Sequence, residues 1–436
     1  MSTSLKRSKG SQSSLRIGTF SFWMKVCSQG NNLVMYSNTV ESDNNRGYIQ
    51  LTTDGKWRMV DNDASGDHIV LRTNRKFRDF NAWYHFVVRV DTTQSTNTDR
   101  VRLYINGVQE TSFDETTYPA QNENLKIFEG GQTNREYINR VYGGSAYADN
   151  FMLSHFHFTD GQSYGPDTFG STDSTTGEWK INTSPTVTYG NQGFFMFKDD
   201  ASLNDDSGNS NNWTADSGTV QKTEDNPSNI FATLNPLLGP RYSTQTFSNG
   251  NTTVAGGGGH EMHMSTLAIP NSGKFYYEAK LDAIGNYPII GVVEAKNVIT
   301  NNKDINTYGY GYFFNGNIVK LGGSPISPTY SSYTTGDFIG VAVDCDNKEI
   351  YFSKNGTWQN SSDPANRTNP AITGLLTDDL MLGVNNYGST WSVNFGNGYF
   401  GTTAVSSAGT NASGIGIFEY DVPTGYTALS TKGLNL

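Results

Sequence analysis

Between Gly336 and Trp358 the chain reads GDFIGVAVDCDNKEIYFSKNGTW, and this stretch restricts the possible folds more than any other. Ile339, Val341 and Val343 alternate with Phe338, Gly340 and Ala342, so a strand over 338–343 is apolar on both faces, as in the middle of a packed sheet. A second strand over 349–353 follows an Asp-Asn turn and runs into Asn355-Gly356, a dipeptide that accepts positive φ at both central positions of a type I′ turn. The same design occurs upstream: WYHFVVRVD from Trp83 ends in Asp91, a polar turn follows, and VRLYI runs into Asn106-Gly107. Two such cores predict two β-domains of related construction.

Shorter segments agree. Phe20, Phe22 and Met24 face one way and Ser21, Trp23 and Lys25 the other; Tyr84, Phe86, Val88 and Val90 oppose His85, Val87 and Arg89. Val101, Leu103 and Ile105 point inward with Arg102 and Tyr104 outward, and Asp54-Gly55 joins two strands into a hairpin. No 3.6-residue period persists long enough for a long helix. The expected fold class is all-β, two antiparallel β-sandwich (jelly-roll) domains with a short C-terminal tail.

Composition narrows the partners. Thirty-one basic against 41 acidic residues give a net charge of −10, and the one basic cluster, Lys6, Arg7 and Lys9, reads as a solvated end where phosphate neutralisation requires a patch of Lys and Arg, so no nucleic-acid partner is expected. Cys27 and Cys345 fall on strand-like segments and read as small buried hydrophobes, not a disulfide framework. The start, MSTSLKRSKGSQSS, lacks an apolar signal core, and no run approaches the ~20 apolar residues of a membrane span, so no membrane insertion is expected.

Motifs for chemistry are sparse. Glu41-Ser42-Asp43 and Glu419-Tyr420-Asp421 are the only Glu-x-Asp triplets, and neither is followed by the second Glu of a same-face glycosidase strand. His260-Glu261-Met262-His263 lacks the i, i+4 histidine spacing of a helical zinc site. His155 and His157 share a strand face but have no nameable third ligand, and Gly256 to Gly259 lacks the frame of a phosphate loop. Asp205, Asp206 and Asn209 do not have EF-hand spacing and read as Asx turns. No catalytic residue, metal site or cofactor is expected.

Binding requires less than catalysis. Aromatic rings stack on sugar faces while Asn and backbone groups read hydroxyls. Aromatic and Asn residues at turns are the best candidates, because packing rarely demands them there. They are Trp358 and Asn355 at the second hairpin, Tyr387 and Asn386 at a later turn, and Tyr330 and Tyr333 flanking two serines.

The segments FSFWMK, AWYHFVVRVD, RLYINGVQ and TDGQSYGPDTFG together resemble a concanavalin-A-like, laminin-G-like jelly roll. The resemblance covers about residues 5–200. It implies carbohydrate or cell-surface binding, in a family that sometimes holds Ca²⁺; none is predicted for this chain. GKFYYEAKL, IIGVV, the 336–358 stretch, MLGV and WSVNF resemble a SPRY domain, a non-enzymatic bent β-sandwich that binds through loops at one end. The implied organisation is a first sandwich over 1–200, an Asn/Ser/Gly-rich connector over 201–229 around Trp213, a second sandwich over 230–400, and over 401–436 a flexible Gly/Ala/Ser/Thr-rich linker (401–414) and a short ordered C-terminal tail that reads as a docking strand.

This order is similar to that of virion-associated adhesins of tailed bacteriophages. It implies a non-enzymatic virion surface protein, a tail or capsid fibre made in the bacterial cytoplasm. Such a protein attaches to a host-cell surface glycan or protein, contacts other virion proteins and forms a homo-oligomer, a trimer by resemblance. The alternatives are a structural or decorating virion protein that binds only phage proteins, and a surface-polysaccharide depolymerase.

Overall fold

The computed structural model describes residues 3–38, 45–130, 135–141, 144, 150–238, 245–295, 304–322, 324–326, 330–375 and 380–436. The chain divides into two compact units, Met1–Lys222 and Thr223–Leu436, and each is all-β with facing antiparallel sheets.

In the first unit an eight-stranded sheet runs in the order Phe113–Thr117, Gly66–Lys76, Lys56–Asp63, Arg46–Leu51, Asn32–Asn38, Arg135–Ile138, Ser4–Ser8, Thr214–Ser217. A six-stranded sheet runs Phe194–Met196, Phe151–Asp160, Ile17–Val26, Trp83–Asp91, Val101–Ile105, Val108–Glu110. The alternation read from sequence sets the faces: Phe20, Phe22, Met24, Phe86, Val88, Val90, Leu103 and Ile105 meet Ile49, Leu51, Trp57, Met59 and Leu71 in one core. Asn106 and Gly107 both take positive φ, 48° and 81°, as the turn requires. The absent Cβ of Gly107 also makes room for Trp179, whose ring would lie 2.4 Å from one.

The Asn/Asp-rich stretch expected to act as a connector instead belongs, through Lys222, to this unit. Trp213 is buried in the core, its ring 5.4 Å from Phe194, and the Arg7 guanidinium lies over both rings. Thr214–Ser217 pairs with Ser4–Ser8. The polar side chains satisfy backbone donors that a free linker would give to water: Asp205 accepts from the N–H groups of Phe195, Ser207 and Asn211.

In the second unit the larger sheet runs Thr246–Ser248, Thr253–Ala255, Thr390–Asn394, Lys274–Ala283, Phe338–Asp344, Glu349–Lys354, Thr357–Trp358. The smaller runs Glu261–Ile269, Leu380–Asn386, Ile289–Glu294, Gly309–Phe313, Ile318–Lys320. Ile339, Val341 and Val343 face Ile290, Val292, Tyr310 and Leu382 between the sheets.

The opposite face of Phe338–Asp344 is also covered, which explains why that strand is apolar on both sides. Its cover is the C-terminal segment that follows the Gly/Ala/Ser/Thr-rich stretch 401–414: Phe418, Val422, Tyr426 and Ala428 pack on Tyr276, Ala342 and Tyr351. Thr427–Ala428 pairs in parallel with Lys274–Ala283, as a docked strand, and the buried Glu278 carboxylate accepts the N–H groups of Glu419 and Tyr420 at 2.8 and 2.9 Å. The same segment returns to the start of the unit, where Ala232 N–H donates to Leu429 and Thr431 N–H to Ile230. The Gly, Ala, Ser and Thr content that reads as a linker is confined to 401–414, whereas the apolar residues at 418, 422, 426 and 428 cover a sheet face.

Candidate ligand-binding end of the second unit

Strand register determines which loops share an end. Lys280 stands opposite Phe338 and Ile339 opposite Lys354, so the chain after Ala283, the chain before Phe338 and the Asn355-Gly356 turn lie at one end of the larger sheet. In the facing sheet Ile289 stands opposite both Phe313 and Asn385, and Glu261 opposite Asn386. Segments 256–260, 314–317 and 387–389 therefore gather at the end marked by 284–288, which joins the two sheets.

An aromatic group forms there. The Tyr287 ring lies 4.8 Å from Phe313 and 4.6 Å from His260, and His260 lies 5.2 Å from Tyr387. His260 Nδ1 is 3.3 Å from Asp304 Oδ2. Ile284 and Tyr287 are 39% and 36% exposed, among the few large apolar side chains so open. Their backbone is nonetheless fixed: Ile284 N–H donates to Thr335, Gly285 N–H to Ser389, Asn286 N–H to the Tyr387 carbonyl, and Asn385 Nδ2 donates to the Tyr287 carbonyl at 2.8 Å. An open ring on an ordered loop suits recognition, because little conformational entropy remains to be lost.

Asn355 and Gly356 take φ of 48° and 78°, the turn read from sequence. Asn355 is exposed, but both ends of its amide are in use: Oδ1 accepts from Phe338 N–H and Nδ2 donates to Asp337, each at 2.8 Å. Burial raises the Asp337 carboxyl, yet the Asn355 amide, the Thr334 N–H and Lys354 outweigh it and hold the group below the usual range. Trp358 is half-buried, its ring 6.3 Å from Tyr276, against the cluster that includes Phe418. Tyr387 is half-buried at the edge of His260.

The other three residues singled out from sequence are buried framework. Asn386 donates to the Gly256 carbonyl and accepts from Ser389 N–H. Tyr333 sends its hydroxyl to the carbonyls of Pro288 and Tyr312 at 3.0 and 2.9 Å, and Tyr330 packs its ring 5.5 Å from Tyr312. Their turn position suggested contact, but the loops fold over them. Tyr287 and Ile284 went unread, although Ile284-Gly-Asn-Tyr287-Pro is itself an aromatic turn between two strands.

In the first unit, residues 161–192 cover the outer face of the six-stranded sheet. His85 stacks on Trp23 at 4.9 Å and accepts from Trp179 Nε1 at 2.9 Å, while His157 stacks on Phe195 at 3.9 Å and hydrogen-bonds Tyr189. Burial lowers His85 to about 3 and His155 to about 4, and places His157 well below its ordinary value. Neutral imidazoles among rings are packing groups here, and among the described residues no three His, Cys, Asp or Glu side chains are placed to hold a metal ion. Of the carboxylate triplets, Glu41 and Asp43 lie outside the described residues, and Asp421 accepts from the N–H and hydroxyl of Thr410.

Residues 7–152 match the family model of the concanavalin A-like lectin/glucanases superfamily, and residues 274–367 match that of the SPRY domain. Domains of these two kinds are typically non-catalytic binding modules. Among solved structures the chain is similar to the SPRY domain of human HERC1, at 20% identity over 37% of this chain and 96% of that one, with a TM-score of 0.30. It is also similar to another human SPRY domain, at 16% identity over 35% and 96% with a TM-score of 0.27. A third similarity is to a native heptameric SAP-like pentraxin from Limulus polyphemus, at 14% identity over 43% and 88% with a TM-score of 0.29. No curated protein matches the chain. The chain carries a concanavalin-A-like domain followed by a SPRY domain.

Proposed function

We propose that this chain is a non-enzymatic surface protein of a tailed-bacteriophage virion, a tail or capsid fibre, that attaches the particle to a glycan or protein on the host cell. The observation that carries the binding reading is the loop end of the second unit, where the open Tyr287 and Ile284 side chains are held on a hydrogen-bonded loop beside His260 and Tyr387. Order of modules, concanavalin-A-like then SPRY with an ordered C-terminal segment, supports the virion setting. Homo-oligomerisation multiplies such sites, and linkage raises avidity by about 10² or more without new contacts.

Purified protein incubated with candidate host bacterial cells, and separately with their surface polysaccharide, tests this. Saturable cell binding without release of reducing ends is the expected result. Release of reducing ends identifies a depolymerase, and absence of binding with antibody label confined to shell or portal seams identifies a decorating protein. Either outcome overturns the proposal.

A further inference from the structure

The His260-Glu261-Met262-His263 motif has a use other than the zinc site it fails to make. On the strand Glu261–Ile269, Met262 and Met264 join Ile289, Val293 and Ile305 on the outer face. Glu261 instead stands opposite Asn386 and His263 opposite Val384, a residue of the inter-sheet core, so both point into the mouth of the sandwich. Glu261 is 0% exposed, and among the described residues neither carboxylate oxygen has a hydrogen-bond partner of ordinary geometry. His263 Nε2 is likewise buried and, among the described residues, without a hydrogen-bond partner, its ring 5.4 Å from Phe247. Burial raises the Glu261 carboxyl above its usual range; Gln245 partly offsets this, yet its Nε2 makes no hydrogen bond of ordinary geometry.

The cover over this carboxylate is thin. Gly257 has φ +95°, and a Cβ there would fall 2.2 Å from Glu261 Oε2, so only a glycine lets the backbone lie on the carboxylate. On Gly258 or Gly259 a Cβ would meet nothing within 4 Å among the described residues. An acceptor pair is thus set one residue below the surface, next to the rim formed by His260, Tyr287 and Tyr387. A buried carboxylate whose neighbouring donor, Gln245 Nε2, lies outside ordinary hydrogen-bond geometry is unfavourable, and a cation supplied from outside relieves it. Two donors, Glu261 and His263, fall short of the ligands that zinc takes.

We propose that Glu261 anchors a site for a cationic nitrogen group, a primary ammonium or a guanidinium, which enters when the Gly256–Gly259 backbone moves aside. The surrounding rings add cation–π attraction at the rim. This deepens the reading of the loop end as the ligand face and rests on it. A lysine-like or arginine-like group of a partner polypeptide and the free amine of an amino sugar share this chemistry.

The test is an NMR titration of the full chain with Nα-acetyl-lysine amide, Nα-acetyl-arginine amide, glucosamine and the uncharged Nα-acetyl-norleucine amide. At least one cationic probe is expected to bind saturably and to move the carboxyl ¹³C signal of Glu261, with the uncharged probe weaker by about tenfold or more. Which cationic probe binds most tightly identifies the source. Glu261→Gln, equal in size, is expected to lose the same factor. No saturable binding by the wild-type chain, or unchanged binding in Glu261→Gln, overturns the assignment, and the carboxyl signal decides the matter if that variant does not fold. Cell attachment through Tyr287 without probe binding refutes this site alone; probe binding lost in Glu261→Gln, with no cell attachment, supports the site and refutes the attachment reading alone.

Discussion

The ring of Tyr287 meets that of His260 edge to face, with centroids 4.6 Å apart and planes at 77°. The two residues come from separate loops, and the pair contributes about 0.5–1.5 kcal/mol beyond area burial. That contact draws the 256–260 loop toward the 284–288 loop and defines the rim at which the second unit presents its open aromatic surface.

Replacing Tyr333 with Phe keeps the ring and deprives the carbonyls of Pro288 and Tyr312 of a donor. Stability is expected to fall by about 1–2 kcal/mol in urea unfolding. An unchanged midpoint would mean that the hydroxyl holds neither loop.

Phe418 is 1% exposed on the sheet face formed by Tyr276, Ala342 and Tyr351. Phe418→Ala is expected to destabilise the second unit by about 3–5 kcal/mol and to speed hydrogen exchange along Lys274–Ala283. A loss below about 0.5 kcal/mol, the range of an ordinary surface change, would mean that the C-terminal segment does not hold this sheet face.

Trp358 is half-buried against the same cluster. Trp358→Ala is expected to cost roughly 2 kcal/mol, about half the loss at a fully buried site, and to weaken ligand binding less than changes at Tyr287 do. Calorimetry of the variant beside a binding isotherm separates the two effects, and a binding loss with an unchanged melting temperature would make Trp358 a contact residue.

Acid is expected to unfold the first unit early. Burial holds His85 at about 3 and His155 at about 4, and His157 well below its ordinary 6.5. Below pH 6.5 the unfolded chain takes up protons that the fold excludes, so these groups cost nothing above that pH and progressively more toward pH 4. Asp61 acts oppositely: burial lifts it to about 7, past the lowering by the N–H groups of Ile127 and Lys126, so the fold keeps a proton the unfolded chain has released. Three groups against one leave stability falling by on the order of 2 kcal/mol per pH unit between pH 6 and 5. Urea unfolding at those two pH values measures the slope, and His155→Gln is expected to reduce it by one proton. A flat profile would contradict the neutral, buried imidazoles.

The fold was legible wherever one strand carried its own pattern. Ile339, Val341 and Val343 faced inward as their alternation required, and Asn106-Gly107 and Asn355-Gly356 turned as their dipeptides dictate. What the sequence concealed was long-range cover. Nothing near Trp213 indicates that Phe194 and Arg7 enclose it, and nothing near Phe418 indicates that Tyr276 lies beneath. The site divided along the same line. The turn positions of Tyr387 and Asn355 were readable, but whether a turn tyrosine faces out, as Tyr287 does, or in, as Tyr333 does, depends on loops distant in sequence.

The central claim is that the chain binds its target through the loop end of the second unit. A binding isotherm of the full chain on host cells, wild type against Tyr287→Ala, tests it most directly. Tyr287 is 36% exposed, so the change is expected to weaken binding by about tenfold or more while shifting the melting temperature by only about 2 °C. Saturable binding by wild type that Tyr287→Ala leaves unchanged would contradict the account.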